Sequence, residues 1–142
     1  MRYLGLDLGT KTLGVSITDK SGLLVKPLEV IKFDFEDYDK ALKEVLKLIS
    51  NNNIDLVVLG LPKNMDGSIG FAGERSLNFK KMLEENNIKV ELIDERLTTK
   101  MAENIVHSNL DNVKNTKNKI DAIAASIILE TYLERVKNDT KE

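Results

Sequence analysis

The stretch RYLGLDLGTKTLGVSIT, residues 2–18, decides the fold. Residues 2–8 form a short apolar run interrupted by Gly5 and Asp7, which predicts a buried strand. Gly9 and Thr10 supply turn chemistry. In 12–18, Leu13, Val15 and Ile17 alternate with Thr12, Gly14, Ser16 and Thr18, the pattern of a half-covered strand. Asp19, Lys20, Ser21 and Gly22 make a hairpin turn into a third strand over 23–31. Pro27 lies within that strand and places it at a sheet edge. The three strands form an antiparallel meander.

Beyond the meander the period changes. Leu42, Val45, Leu46 and Ile49 have helical spacing. Residues 56–59 are continuously apolar, as in a parallel strand covered on both faces. A loop over 62–70 follows, then a helix marked by Ala72, Phe79 and Leu83, then a fifth strand over 90–93. Another helix is expected from about residue 99, a polar mobile segment over 108–118, and a last helix over about 119–135. The order β-β-β-α-β-α-β-α-α predicts an α/β domain. Its mixed sheet has three antiparallel and then two parallel strands, with helices on both faces. Residues 1–137 are expected to form one domain and 138–142 a disordered tail.

Composition narrows the chemistry. The 142 residues contain no Cys and one His, at 107. This excludes a thiol nucleophile, a disulfide framework and a thiolate or multi-histidine metal site. His107 is given no chemistry. Any metal must sit on oxygen ligands, which favours Mg²⁺, Mn²⁺ or Ca²⁺, with Mg²⁺ or Mn²⁺ expected for hydrolysis. The first apolar run is too short and interrupted for a signal peptide, and no later run spans a bilayer. The expected location is the cytoplasm, with no membrane partner. The net charge of −2 argues against a broad nucleic-acid-binding surface but leaves room for a local basic rim.

Three carboxylates stand at positions where ligands of such sheets bind, beyond the carboxyl ends of the parallel strands. Asp7 shares a face of the first strand with Tyr3 and Gly5. It is either a metal ligand or a partner of the Gly9-Thr10 turn. Glu95 closes the fifth strand, either as a ligand or as a surface Glu paired with Arg96. Asp121 opens the last helix on a face shared with Ala125 and Ile128. It is either a ligand or a dipole-complementing residue three positions after an Asn118 cap. Together they can converge on one or two hydrated divalent cations, which act about 4 Å apart in two-metal hydrolysis. Asp94 is a weaker fourth candidate, because strand alternation turns it away from Glu95. Lys11, Asn64, Ser68, Arg96, Lys117 and Lys119 are candidates for holding substrate phosphates, with Lys114 on the same approach.

Four blocks coincide in order: LGLDLGTKTLGVS at 4–16, GLPKNMDGS at 60–68, DERLTT at 94–99 with Ala102 and Glu103, and KIDAIAA at 119–125 running to ILETYL at 128–133. Across roughly residues 2–134 the chain resembles the YqgF/RuvX family of RNase H-like nucleases. The resemblance implies an RNase H-like fold, dependence on a divalent metal, and an acidic trio falling on Asp7, Glu95 and Asp121. It implies maturation of the 5′ end of pre-16S ribosomal RNA or, alternatively, resolution of Holliday junctions in DNA, by a monomer or weak homodimer. Two departures stand out. Thr12 occupies a position where many members have Arg. RuvC-type resolvases carry their second acid at the end of strand four, and Gly60-Leu61-Pro62 offers none, so Glu95 must supply it from the next strand. Two competing functions are an actin-like ATPase, which needs a second domain to close its nucleotide cleft, and a non-catalytic RNA-binding module.

Overall fold

A computed structural model describes residues 1–96 and 116–139. Strands β1 (Tyr3–Leu8), β2 (Thr12–Thr18) and β3 (Val25–Lys32) are followed by α1 (Tyr38–Asn52), β4 (Leu56–Leu61), α2 (Phe71–Glu85), β5 (Val90–Asp94) and α3 (Thr116–Asp139). The five strands form one sheet in the order β3-β2-β1-β4-β5. The first three pair antiparallel. β4 runs parallel to β1, and β5 parallel to β4. The predicted meander and parallel pair are therefore both present. Pro27 is exposed on β3, an edge strand of the sheet, as its presence within a strand predicts.

The two faces of the sheet differ. On one, Leu4, Leu6 and Leu8 of β1 join Leu13, Val15 and Ile17 of β2 in a core shared with Ala41 and Val45 of α1 and Phe79 and Leu83 of α2. On the other, α3 lies across β1, β2 and β3, and Ile128 and Leu129 pack on Val58 and Ile93. This second cover corrects the reading of β2 as half-covered. Ser16 and Thr18 on its polar face are fully buried, and the Ser16 hydroxyl donates to the carbonyl of Ala125 at 2.7 Å. Alternation of polar and apolar residues misleads here because small hydroxyls can be buried against a helix when a backbone oxygen accepts from them.

The last helix is longer than periodicity predicts. It starts at Thr116 and continues through Asn138 to Asp139, past the 138 boundary expected for the tail. Asn118 therefore lies inside the helix, and the capping explanation of Asp121 does not hold. Apolar periodicity marks only the packed part of a helix, and α3 extends beyond its contacts with the sheet. The helix expected from about residue 99, most of the polar segment 108–118, His107 and Lys114 lie outside the described residues. The side chains of Lys117 and Lys119 do so as well.

Candidate active site

Asp7 stands near the carboxyl end of β1, between two glycines. The β1–β2 register pairs it with Gly14. The β1–β4 register pairs Leu6 with Leu59, which puts Gly60 on its other side. All three positions face α3. A Cβ on Gly14 would overlap the backbone carbonyl oxygen of Asp121. A Cβ on Gly60 would overlap Oε1 of Glu95 and come within 2.6 Å of Cδ1 of Ile128. One glycine thus admits the backbone of α3 that carries Asp121. The other admits the carboxylate of Glu95. At the end of β4, where no acid stands, Glu95 reaches over Gly60 from the neighbouring strand.

Glu95 follows the last residue of β5, and its N–H donates to the carbonyl of Leu61 at 3.1 Å, prolonging the sheet by one residue. Its side chain is buried and hydrogen-bonded to the carboxyl of Asp7. Burial, that hydrogen bond, and the charges of Asp7 and Asp94 push the Glu95 carboxyl up to about 10. Asp7 is also raised, by burial and by the charge of Asp121, although the bond from Glu95 pulls it back down. The consistent state is one proton held between the two, on Glu95 and donated to Asp7.

Asp121 is half-buried, and the hydroxyl of Thr12 donates to its Oδ2 at 3.0 Å. Ala125 and Ile128, on the same face of α3, are fully buried, so this face packs on the sheet as the helical spacing predicts. Asp7 and Glu95 are therefore in direct contact, with Asp121 close enough for its charge to be felt by Asp7. Among the described residues no three acidic, His or Cys side chains converge into a ready-made metal cluster. The expectation that all three carboxyl groups share one cation site goes further than this arrangement, in which Asp7 and Glu95 touch and Asp121 lies beside them.

The remaining candidates divide. Arg96 makes a two-pronged contact with Asp94, its Nε and Nη2 lying 2.9 and 2.7 Å from Oδ2. This removes the reading of Glu95 as the surface partner of Arg96. Asp94 lies on the opposite face from Glu95, as alternation predicts. The Arg96 guanidinium, and less strongly Lys63, hold its carboxyl below the usual range. Asn64 and Ser68 bind each other across the loop, side chain to side chain at 2.9 Å, and the Ser68 N–H donates to Asp66 at 2.9 Å. These bonds shape the loop after β4. Lys11 is exposed beside the first turn.

Sequence reasoning passed over Gly14 and Lys63, and treated Thr12 and Gly60 only as departures. Lys63 reaches within 4.0 Å of Asp94 Oδ2. The signal for Gly14 was available: a tight turn at Gly9-Thr10 sets it opposite Asp7. Gly60 needed the parallel register, which no local pattern reveals.

Comparisons with known proteins agree with this architecture. Residues 1–135 match a family model described as "RuvX: Holliday junction resolvase". A relative in Bacillus subtilis (strain 168), named "Putative pre-16S rRNA nuclease", is 45% identical over 135 residues, covering 94% of this chain and 98% of the relative. Among solved structures, Thermus thermophilus RuvC in complex with Holliday junction substrate superposes with a TM-score of 0.62 at 16% identity, covering 95% of this chain and 96% of RuvC. The Fowlpox virus resolvase in complex with Holliday junction DNA gives 0.57 at 16% identity, covering 96% and 99%. At such identities the structures establish the fold, that of RuvC-like resolvases within the RNase H-like class. The nearly full-length family match and the 45% identical relative go further, and the chain belongs to the RuvX family.

Proposed function

We propose that this protein is a divalent-metal-dependent nuclease that hydrolyses phosphodiester bonds at Asp7, Glu95 and Asp121, acting on a ribosomal RNA precursor at the 5′ end of 16S RNA. The observation that carries the reading is the contact between the carboxyls of Asp7 and buried Glu95 at the carboxyl ends of the parallel strands, with Asp121 beside them. Two buried carboxyls without a cation must share a proton, because both cannot ionise in contact. A hard cation on oxygen ligands fits that pair, since it can take the place of the proton. Asp7, Glu95 and Asp121 would hold Mg²⁺ or Mn²⁺, as one ion or two. When bound, such an ion supplies Lewis acidity and a water of lowered pKa.

The chain's own groups supply the rest. Glu95 releases its proton to solvent and, with Asp7, presents buried carboxylate oxygens at the sheet end. Asp121 adds a third charge from α3, oriented by the Thr12 hydroxyl. Lys11, Arg96, Asn64 and Ser68 flank this end on loops, with Lys117 and Lys119 leading into Asp121, and would position phosphates of the strand. Arg96 enters that role already neutralised in part by Asp94.

The relative's name supplies the RNA substrate, and charge supports it. A net charge of −2 with few basic groups near the site suits a short single-stranded footprint. Gripping the arms of a junction needs many phosphate contacts, and paired cutting needs two sites held by a dimer. The protein is accordingly placed in the cytoplasm, as a monomer or weak homodimer.

The test is cleavage of matched substrates, a ribosomal RNA precursor, a four-way DNA junction and single strands, in Mg²⁺ and in Mn²⁺. Metal-dependent cutting of the precursor, with weak or no junction cutting, is expected. Paired nicking of the junction by a stable dimer, with the precursor untouched, would replace this reading by the resolvase one. Metal-independent binding without cutting would make the protein an RNA-binding module.

A further inference from the structure

Thr12 is the first residue of β2, and its side chain is half-buried. Its backbone is fixed from two sides. The N–H of Gly9 donates to its carbonyl at 2.7 Å, closing the turn between β1 and β2. Across the sheet it is paired in register with Lys32 of β3. The hydroxyl is therefore presented from rigid backbone, and it donates to Asp121 Oδ2 at 3.0 Å. Two positions along β2, Gly14 admits the main chain of Asp121 itself. The backbone of Asp121 is thus seated by Gly14 while one carboxylate oxygen is held by Thr12. The second oxygen, Oδ1, is left to be aimed by those two constraints.

We infer that Thr12 is a positioning residue: its hydroxyl fixes the rotamer of the Asp121 carboxylate so that Asp121 can join Asp7 and Glu95 around a divalent cation. The inference rests on the metal-dependent reading of the site and adds a residue to it. A hydroxyl suits this task better than a cationic side chain. It orients the carboxylate without neutralising it, so the whole charge of Asp121 stays available to the ion. An ammonium or guanidinium at position 12 would orient Asp121 but compete with the cation for it. Hydrogen bonds of this kind to ligating carboxylates typically alter metal affinity or activity by about 10- to 100-fold.

The test compares Thr12→Val, which keeps the shape and removes the donor, with Thr12→Ser, which keeps the donor and removes a methyl group. The first readout is the rise in melting temperature on titration with MnCl₂ alone. The second is kcat and KM on the RNA substrate. Thr12→Val is expected to need about tenfold more Mn²⁺ for half the thermal shift and to lose at least as much in kcat, with KM nearly unchanged. Thr12→Ser is expected to stay within about threefold of the unaltered protein in both, on the same principle. A wild-type Mn²⁺ midpoint in Thr12→Val would overturn the inference. So would a Thr12→Ser variant as impaired as Thr12→Val, because keeping the hydroxyl donor would then not preserve the cation affinity. If Thr12→Val does not fold, Thr12→Ala takes its place under the same criteria. Absence of any Mn²⁺-induced shift in the unaltered protein would instead bring down the metal-site reading, and this inference with it.

Discussion

At the scale of single residues, the proposed site would depend as much on two missing side chains as on three acids. Gly60→Ala and Gly14→Ala are expected to fail differently. The new methyl at 60 meets the end of the Glu95 side chain and Cδ1 of Ile128. Side chains can swing aside, so folding should survive at a cost of about 1–3 kcal/mol, while Glu95 loses its place and kcat falls by about 100-fold or more, which is about 3 kcal/mol in the barrier. The methyl at 14 meets the main-chain carbonyl of Asp121, which cannot rotate away without moving α3. Gly14→Ala should therefore show the larger loss in urea-melting stability. The reverse ranking would mean that the glycines do not seat the acids as described. The Asp7–Glu95 pair also sets a pH dependence in the metal-free protein. Folding raises both carboxyls, to about 10 for Glu95. The native state then binds more protons than the unfolded state above the ordinary carboxylate range, and stability falls as pH rises. Melting temperature in EDTA is expected to decline steadily from pH 5 to pH 9, and Glu95→Gln to flatten most of that slope. A steep slope persisting in Glu95→Gln would assign it to other groups.

At the scale of elements, the two faces of the sheet have different duties. α1 and α2 cover a mainly apolar layer, and α3 covers the face on which Asp7, Gly14 and Gly60 lie. Leu83 of α2 and Ile128 of α3 are both fully buried. Truncating either to Ala is expected to cost about 2–5 kcal/mol. Only Ile128 also touches the space beneath Glu95. Assayed where both variants are still folded, Ile128→Ala should lose kcat and Leu83→Ala should keep it. Equal kcat losses would show that α3 supports the site no more than the opposite layer does.

At the scale of the whole molecule, the proposed cation site would couple ion binding to global stability. An ion that binds only the folded state raises the melting temperature in proportion to the logarithm of its concentration over Kd. Mg²⁺ or Mn²⁺ is therefore expected to stabilise the protein. Asp7→Asn should abolish most of that gain and raise the metal-free melting temperature, because a buried like charge is removed. An Asp7→Asn variant that keeps the full cation-induced shift would exclude Asp7 from the site.

How much of this was legible in the sequence follows from the range of the interactions involved. The meander, the parallel pair and the two-sided cover were readable because strand and helix periods are local, set by side chains two to four residues apart. Asp7 and Asp121 stood out for the same reason, each being a charge placed by local period on a face that packs. The end of α3 was not readable, because a helix continues beyond its packed stretch without an apolar signal. Glu95 was ambiguous, since Asp94, Glu95 and Arg96 also make an ordinary surface tripeptide. Only the folded chain, by giving Arg96 to Asp94 and turning Glu95 over Gly60, distinguishes the two readings. The sequence by itself determined which acids are present and on which face of its own element each lies. The tertiary structure alone decided that Glu95 reaches over Gly60 into contact with Asp7 and that Asp121 rests on Gly14 and Thr12. Those facts depend on strand register and on the seating of a helix more than 100 residues away in the chain, and no local pattern of residues encodes such distances.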